Sequence, residues 1–297
     1  MPPRRLRLDA ELVRRQLARS REHASELIAA GRVRVSGAVA TKPATGVTTD
    51  VAIVVRDDPG RPDFVSRGGH KLAGALDAFA ARGGLTVDGR RCLDAGASTG
   101  GFTDVLLRRG AAEVVAADVG YGQLAWSIRQ DPRVLVRDRT NIRDLTLEHT
   151  AGPVDVVVGD LSFISLTLVL DALVAVTDPD GDLSLMVKPQ FEVGKERVGK
   201  GGVVREPELR AEAVATVAAA AAGRGWGAVD VVTSPLPGPS GNVEFFLWLR
   251  RGPARIGVAE IEAEVERGSA GDAAVDAAQD PAQDPAQDPA ETREATS

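Results

Sequence analysis

The sequence predicts an α/β protein built on a mostly parallel, seven-stranded Rossmann-like sheet, with a small α+β module in front of it. Three observations carry that expectation. From residue 67 onward, short valine-rich runs alternate with amphipathic stretches of helix length, as in repeated β-α-β units. The first run, "RRCLDAG", opens into a glycine-rich turn, "ASTGG", ahead of an amphipathic helix. Before residue 57 the pattern differs: two short helical stretches lead into Val-x-Val alternation across a Ser-Gly turn.

In the first module, "LDAELVRRQL" places Leu8, Leu12 and Leu17 on one helical side, and "REHASELIAAG" does the same with Ala24, Leu27 and Ile28. Ser20 is a suitable N-cap for the second helix and Gly31 a suitable stop. Val33 and Val35 then alternate with arginines, turn at Ser36-Gly37, and resume at Val39 and later at Val51, Ile53 and Val55. This is a helix-helix-hairpin unit over 1–56. Residues 57–66, "DDPGRPDFVS", hold two prolines and a glycine and read as a linker.

The larger domain, 67–267, opens with the helix "RGGHKLAGALDAFAARGG", which presents Leu72, Ala75, Leu76 and Phe79. After the glycine turn come the strand "EVVAADV", the helix "GQLAWSIRQ", and the strands "RVLVRD" and "VDVVVGD". The helix "SLTLVLDALVAVT", the strand "DLSLMVK" and the helix "EPELRAEAVATVAAAAAGRG" follow, and the strands "GAVDVVTSPL" and "GNVEFFLWLR" complete seven. A short helix is expected around Ile256 to Arg267. Beyond it, 268–297 contains a QDPA repeat that cannot bury a core and reads as a disordered acidic tail.

Composition narrows the function classes. The single cysteine, Cys92, rules out an internal disulfide framework and reads as a small core residue. His23, His70 and His149 stand far apart, so no metal site is expected. No window approaches the roughly 18 apolar residues of a membrane span, and no export signal is read, so a cytoplasmic protein is expected. Charge is unevenly divided. Residues 1–56 carry eleven Lys/Arg against five Asp/Glu, a net +6, whereas the chain from Ala254 onward is net −8. A basic front fits a polyanion, and the overall acidity of the chain does not argue against nucleic acid.

The front stretch "ARSREHASELIAAGRVRVSGAVATKPATGVTTDVAIVV" resembles the S4 RNA-binding family, with Ser36 where asparagine is common. The resemblance implies an RNA surface formed by Arg4, Arg7, Arg14, Arg19, Ser20, Arg21, Arg32, Arg34 and Lys42. Arg67 and the glycine-rich loop "EVGKERVGKGGVVREP", with Lys195, Lys200 and Arg205, would extend that surface.

The turn "DAGASTGG" lacks the dinucleotide spacing Gly-x-Gly-x-x-Gly and has a carboxylate, Asp94, at the strand end. A carboxylate there repels phosphate and suits a cationic ligand. The pattern resembles the S-adenosylmethionine loop of class I methyltransferases. That resemblance assigns the cofactor to Asp94, Gly96, Ser98, Gly100, Gly101 and Phe102, with Asp118 on the ribose hydroxyls and Asp138 near the adenine. Asn141 or a backbone amide is the alternative to Asp138.

Strand ends of a doubly wound sheet meet in one crevice. Asp160 ends the fourth strand and Lys188 the fifth, Glu244 lies near the start of the last, and Lys71 is in the opening helix. In order, Lys71, Asp160, Lys188 and Glu244 resemble the Lys-Asp-Lys-Glu tetrad of FtsJ-like ribose 2'-O-methyltransferases, a fold variant whose last strand is antiparallel. Lys188 is expected to face the hydroxyl, either as base or as a charge that stabilises the developing alkoxide. Free lysine is protonated at neutral pH, with a pKa of about 10.4, so a basic role requires desolvation or a neighbouring cation. Phe163 is read as a core residue, with stacking on a target base as the alternative, and His70 as a mere neighbour of Lys71.

The motifs "SRGGHKL", "DAGASTGGFTD", "DLSFISL", "VKPQFE", "GKGGVVREP" and "GNVEFF", joined to the front module, resemble the TlyA family. That resemblance implies 2'-O-methylation of cytidine in 16S and 23S ribosomal RNA with S-adenosylmethionine, and ribosomal RNA or subunits as partner. Two other classes compete: a non-catalytic RNA-binding assembly factor, and a pore-forming haemolysin, which would need a membrane segment.

Overall fold

A computed structural model describes residues 5–15, 17–18, 20–56, 62–238 and 240–279. Arg4, Arg19, the first part of the linker (57–61) and the repeat tail from 280 lie outside the described residues.

The front module forms around Leu8, Leu12, Ala24, Leu27, Ile28 and Val33, all buried. Strand β1 (Leu6–Arg7) runs into helix α1 (Leu8–Arg14), and helix α2 (Arg21–Ala29) packs beside it. Ser20 caps α2, its hydroxyl accepting the His23 N–H at 3.1 Å. β2 (Val33–Val35) is the middle strand of three, between β3 (Ala38–Val39) and β5 (Ile53–Val55). Val35 pairs with Ala38, so Ser36 (φ 48°) and Gly37 (φ 84°) form a two-residue turn with both central residues left-handed. A second pair was not anticipated: β4 (Gly46–Val47) joins β1.

The large sheet has the order β11-β12-β10-β9-β6-β7-β8. Its strands are β6 (Arg91–Ala95), β7 (Glu113–Ala117), β8 (Val134–Arg137), β9 (Val154–Gly159), β10 (Thr177–Val187), β11 (Trp226–Thr233) and β12 (Phe245–Arg251). β12 alone runs against the direction of the other six strands. Period-2 alternation divides the strands between two cores. Cys92, Val114, Ala116, Val156 and Val158 face helices α3 (Gly68–Arg82) and α4 (Gly101–Arg108). Leu93, Val115, Ala117 and Val157 face α7 (Leu170–Val176), α9 (Pro207–Ala222) and α10 (Val258–Gln279). Burial pushes the Cys92 thiol up to about 12, as expected of an unreactive core residue.

Three elements depart from expectation. "GQLAWSIRQ" forms only one helical turn, α5 (Trp126–Arg129), because Gly122 is left-handed and Ala125 extended. "SLTLVLDALVAVT" splits into a 3-10 turn, Leu166–Leu168, and α7. The closing helix α10 begins at Val258 and continues beyond Arg267 to Gln279. Two further single turns, α6 (Leu147–Thr150) and α8 (Pro189–Glu192), join strands to their neighbours.

Candidate active site

Sheet register brings the four predicted polar residues to one edge. Leu185 pairs with Gly159 and Val187 with Phe245, so Asp160, Lys188 and Glu244 leave the sheet side by side. Helix α3 brings in Lys71. The four form two ion pairs: Lys71 Nζ to Glu244 Oε2 at 2.5 Å, and Lys188 Nζ to Asp160 Oδ1 at 2.6 Å. Lys188 also donates to Ser162 Oγ at 2.8 Å, a contact the sequence reading missed although Ser162 stands two residues after Asp160. Both lysines are buried and Glu244 is 1% exposed. Burial raises the Glu244 carboxyl above its usual range, opposed by the charges of Lys71 and Lys188. Gly238 makes room for it, since a Cβ there would meet Glu244 Oε1 at 2.6 Å.

Beside this cluster lies a cavity of about 500 Å³ whose lining includes Gly96, Ser98, Asp118, Asn141, Asp160 and Phe163. Gly96 (φ 85°) is required by space as well as by conformation, because a Cβ would meet the Asp160 carbonyl oxygen at 2.8 Å. The two Asp118 oxygens accept the N–H groups of Ser98 (2.8 Å) and Gly120 (2.6 Å), which fixes the carboxylate at the cavity wall.

Five expected cofactor residues are placed elsewhere. Asp94 is fully buried behind the turn, where one oxygen accepts both the N–H and the hydroxyl of Thr103, at 2.9 and 2.6 Å. Its other oxygen has no hydrogen-bond partner among the described residues, and burial pushes the carboxyl up to about 7. Gly100 and Gly101 serve packing: a Cβ on the first would strike Leu124 and on the second Ser66. Phe102 is buried against Phe246, ring centroids 5.9 Å apart. Asp138 is held by Arg129 and does not line the cavity, whereas Asn141 does.

Phe163 corrects the sequence reading outright. It is 91% exposed, not core, and its backbone is left-handed (φ 65°), a conformation that bulky residues rarely adopt. Its ring leans on Phe191 at 5.3 Å. His70 packs edge-on against Phe64, with ring centroids 5.1 Å apart.

Much of the basic surface is organised by buried acids. Arg7 and Arg21 both bind Asp9 at 2.9 Å, and Arg14 binds Glu11 at 2.6 Å. Arg14 and Arg15 hold the Glu11 carboxyl down at about 2. The three arginines Arg7, Arg14 and Arg21 remain exposed, with their orientation set from below. Arg32 and Arg34 donate to the carbonyls of Arg56 (2.8 Å) and Gly37 (2.7 Å), and Ser20 is engaged as the cap of α2. Lys42, Arg67, Lys195, Lys200 and Arg205 are exposed. The loop carrying the last three is anchored by buried Asn242, which donates to Gly202 O at 2.8 Å and accepts from Val204 N at 2.9 Å.

Among the described residues, no helix is long and apolar enough to cross a membrane. Comparison with known proteins gives two family matches: FtsJ-like methyltransferase over residues 64–251 and S4 domain over 6–53. The chain is 64% identical over 247 residues to the 16S/23S rRNA (cytidine-2'-O)-methyltransferase TlyA of Mycobacterium tuberculosis, covering 83% of this chain and 90% of that one. It is 36% identical over 242 residues to hemolysin A of Brachyspira hyodysenteriae, covering 81% and 98%. A solved structure of a candidate hemolysin from Streptococcus thermophilus superposes with a TM-score of 0.71 at 34% identity, covering 93% and 99%. With its strand-end ion pairs, its cavity and both domain matches, the chain belongs to the FtsJ-like methyltransferase family, in a form that carries an S4 domain in front.

Proposed function

We propose that this protein transfers the methyl group of S-adenosylmethionine to the 2'-hydroxyl of a cytidine in ribosomal RNA, in the cytoplasm. The observation that carries the reading is the pair of ion pairs, Lys71–Glu244 and Asp160–Lys188, at the lip of a cavity walled by Gly96 and Asp118. The choice of cytidine and of 16S or 23S rRNA follows the M. tuberculosis relative's name.

The residues present fit the cofactor. The Asp118 and Asp160 carboxylates line the cavity, a setting that favours a cation over a phosphate. Gly96 and Ser98 would admit the cofactor to the backbone. Asp118 keeps lone pairs for ribose hydroxyls, and Asn141 replaces Asp138 as the side chain for the adenine end. When bound, the cofactor supplies an activated methyl group on a sulfonium.

The protein's own work is alignment and charge. An ammonium has three N–H groups. Lys188 donates one to Ser162 and faces Asp160 Oδ1 as an ion pair at 2.6 Å, so we assign it to orienting the 2'-oxygen and stabilising its developing negative charge. Glu244 holds Lys71 as a second cation beside the same oxygen. Phe163, extended into solvent next to Asp160, offers a face on which the target base can stack.

The test is transfer from labelled S-adenosylmethionine to separated ribosomal subunits. We expect 2'-O-methylcytidine with the intact chain, and at least about a thousandfold loss of rate with Lys188→Ala, in line with removal of a charge-stabilising donor. Absence of label in both subunits would refute the proposed activity. Full activity in Lys188→Ala would refute the assignment of the site.

A further inference from the structure

The single helical turn α8 follows Lys188 directly. Pro189 occupies its first position, where a missing N–H costs nothing and φ is already helical. Positions 188, 191 and 192 therefore share one face of the turn. Each of the three meets the loop that follows β9, and in the same order. Lys188 binds Asp160 (2.6 Å) and Ser162 (2.8 Å). Phe191 supports Phe163, with ring centroids 5.3 Å apart. Glu192 closes the row: its Oε2 accepts the Ser165 hydroxyl at 2.5 Å and its Oε1 the Leu166 N–H at 2.8 Å.

Both oxygens of Glu192 are thus committed to one short segment of the opposite loop. That segment is not fixed by a helix or by a strand ladder, since residues 161–165 lie outside both and include the strained Phe163. It carries the Asp160 side of the pair and also forms one wall of the cofactor cavity through Leu161, Ser162, Phe163 and Ile164. Burial raises the Glu192 carboxyl above its ordinary range, with the two hydrogen bonds acting against that rise. The group is therefore kept in place by those bonds at some cost in solvation.

We propose that Glu192 is a positioning residue for methyl transfer: by tying Ser165 and Leu166 to the turn after Lys188, it holds Asp160, Ser162 and Phe163 in the arrangement that orients the ribose and its base. Glu192 touches neither reactant. It acts by making two loops from neighbouring strands a single body. This inference rests on the catalytic assignment of Asp160 and Lys188 given above.

Glu192→Ala removes both acceptors and Glu192→Gln restores the tether, since the amide oxygen accepts from Leu166 and the amide nitrogen donates to Ser165 Oγ. We expect Glu192→Ala to lower kcat about tenfold to hundredfold, with KM for RNA within about threefold, because the loss is one of alignment. Amide hydrogen exchange across 161–168 should rise at least about tenfold in the same variant. Glu192→Gln should stay within about threefold of the parent in both measurements. Parent-like exchange in Glu192→Ala overturns the tether whatever the activity, and a Glu192→Gln variant as slow as Glu192→Ala overturns the role assigned to the two hydrogen bonds. A parent chain that transfers no methyl group overturns the proposed function instead, and the exchange measurement still reads the tether independently.

Discussion

At the scale of single residues, Asp94 shows how a motif position can be read for the right family and the wrong task. Its carboxyl sits at the end of β6, as the family's turn requires, but it is turned inward onto Thr103 and fastens the helix α4 to the strand. Burial raises it from 3.8 to about 7, so between those values the folded chain keeps a proton that the unfolded chain releases. The resulting stability is fully present below about pH 4 and is lost as pH rises through about 7. We expect the urea midpoint of the protein to fall between pH 5 and pH 8, and Asp94→Asn to flatten that dependence. An unchanged slope in the variant would mean that another group carries it. Phe163 teaches the opposite lesson. Nothing in "DLSFISL" marks it as exposed, since an aromatic among apolar residues such as Leu161, Ile164 and Leu166 is ordinarily core; its left-handed backbone and its seat on Phe191 are what turn it outward.

Among the elements, the loop between α8 and α9 illustrates how charge is presented without being neutralised. Arg197 is bound by Glu212, while Lys195, Lys200 and Arg205 are left exposed above an anchor formed by Asn242 and by Arg210, whose Nε donates to Val204 O at 2.9 Å. A loop fixed at its base and charged at its tip suits contact with phosphates. Replacing Lys195, Lys200 and Arg205 together by glutamine should lower the slope of log affinity for ribosomal RNA against log salt by about 2. An unchanged slope would remove this loop from the RNA surface. In the front module, by contrast, Asp9 and Glu11 hold Arg7, Arg14 and Arg21 from beneath, so that surface is preset by the core of the helices.

For the whole molecule, the front module is tied to the linker through His23 of α2, whose Nε2 lies 3.1 Å from Asp63 Oδ1. A cavity of about 350 Å³ at this junction is lined by Glu26, Leu27 and Arg32 on one side and by Arg67, His70 and Leu236 on the other. On the function proposed above, the front would supply a second attachment to RNA beside the large sheet. Linked sites raise apparent affinity by about a hundredfold or more without new contacts at either one. A chain lacking residues 1–56 is accordingly expected to bind S-adenosylmethionine within about threefold of the full chain and to lose about a hundredfold in kcat/KM on ribosomal RNA. Undiminished kcat/KM would make the front dispensable for substrate capture.

The linear sequence by itself determined the two modules, the strand and helix alternation of the sheet and the candidate polar residues, Asp160, Lys188 and Glu244 at strand ends and Lys71 in the opening helix. Each of these is a local property: a period of two or of 3.6, a glycine where φ must be positive, a charge that interrupts an apolar run. Element lengths were less legible, because the ends of α5, α7 and α10 depend on turns and neighbours as well as on propensity. Only the tertiary structure decided which charges pair. Lys71 and Glu244 are 173 positions apart, and their contact exists because β12 runs antiparallel beside β10 with Val187 opposite Phe245. The same is true of Asp138, drawn to Arg129 and away from the cavity, and of Glu192, whose partners lie on the loop of an adjacent strand. Hydrogen-bond partners are chosen by the register of distant strands, and no local pattern encodes that register.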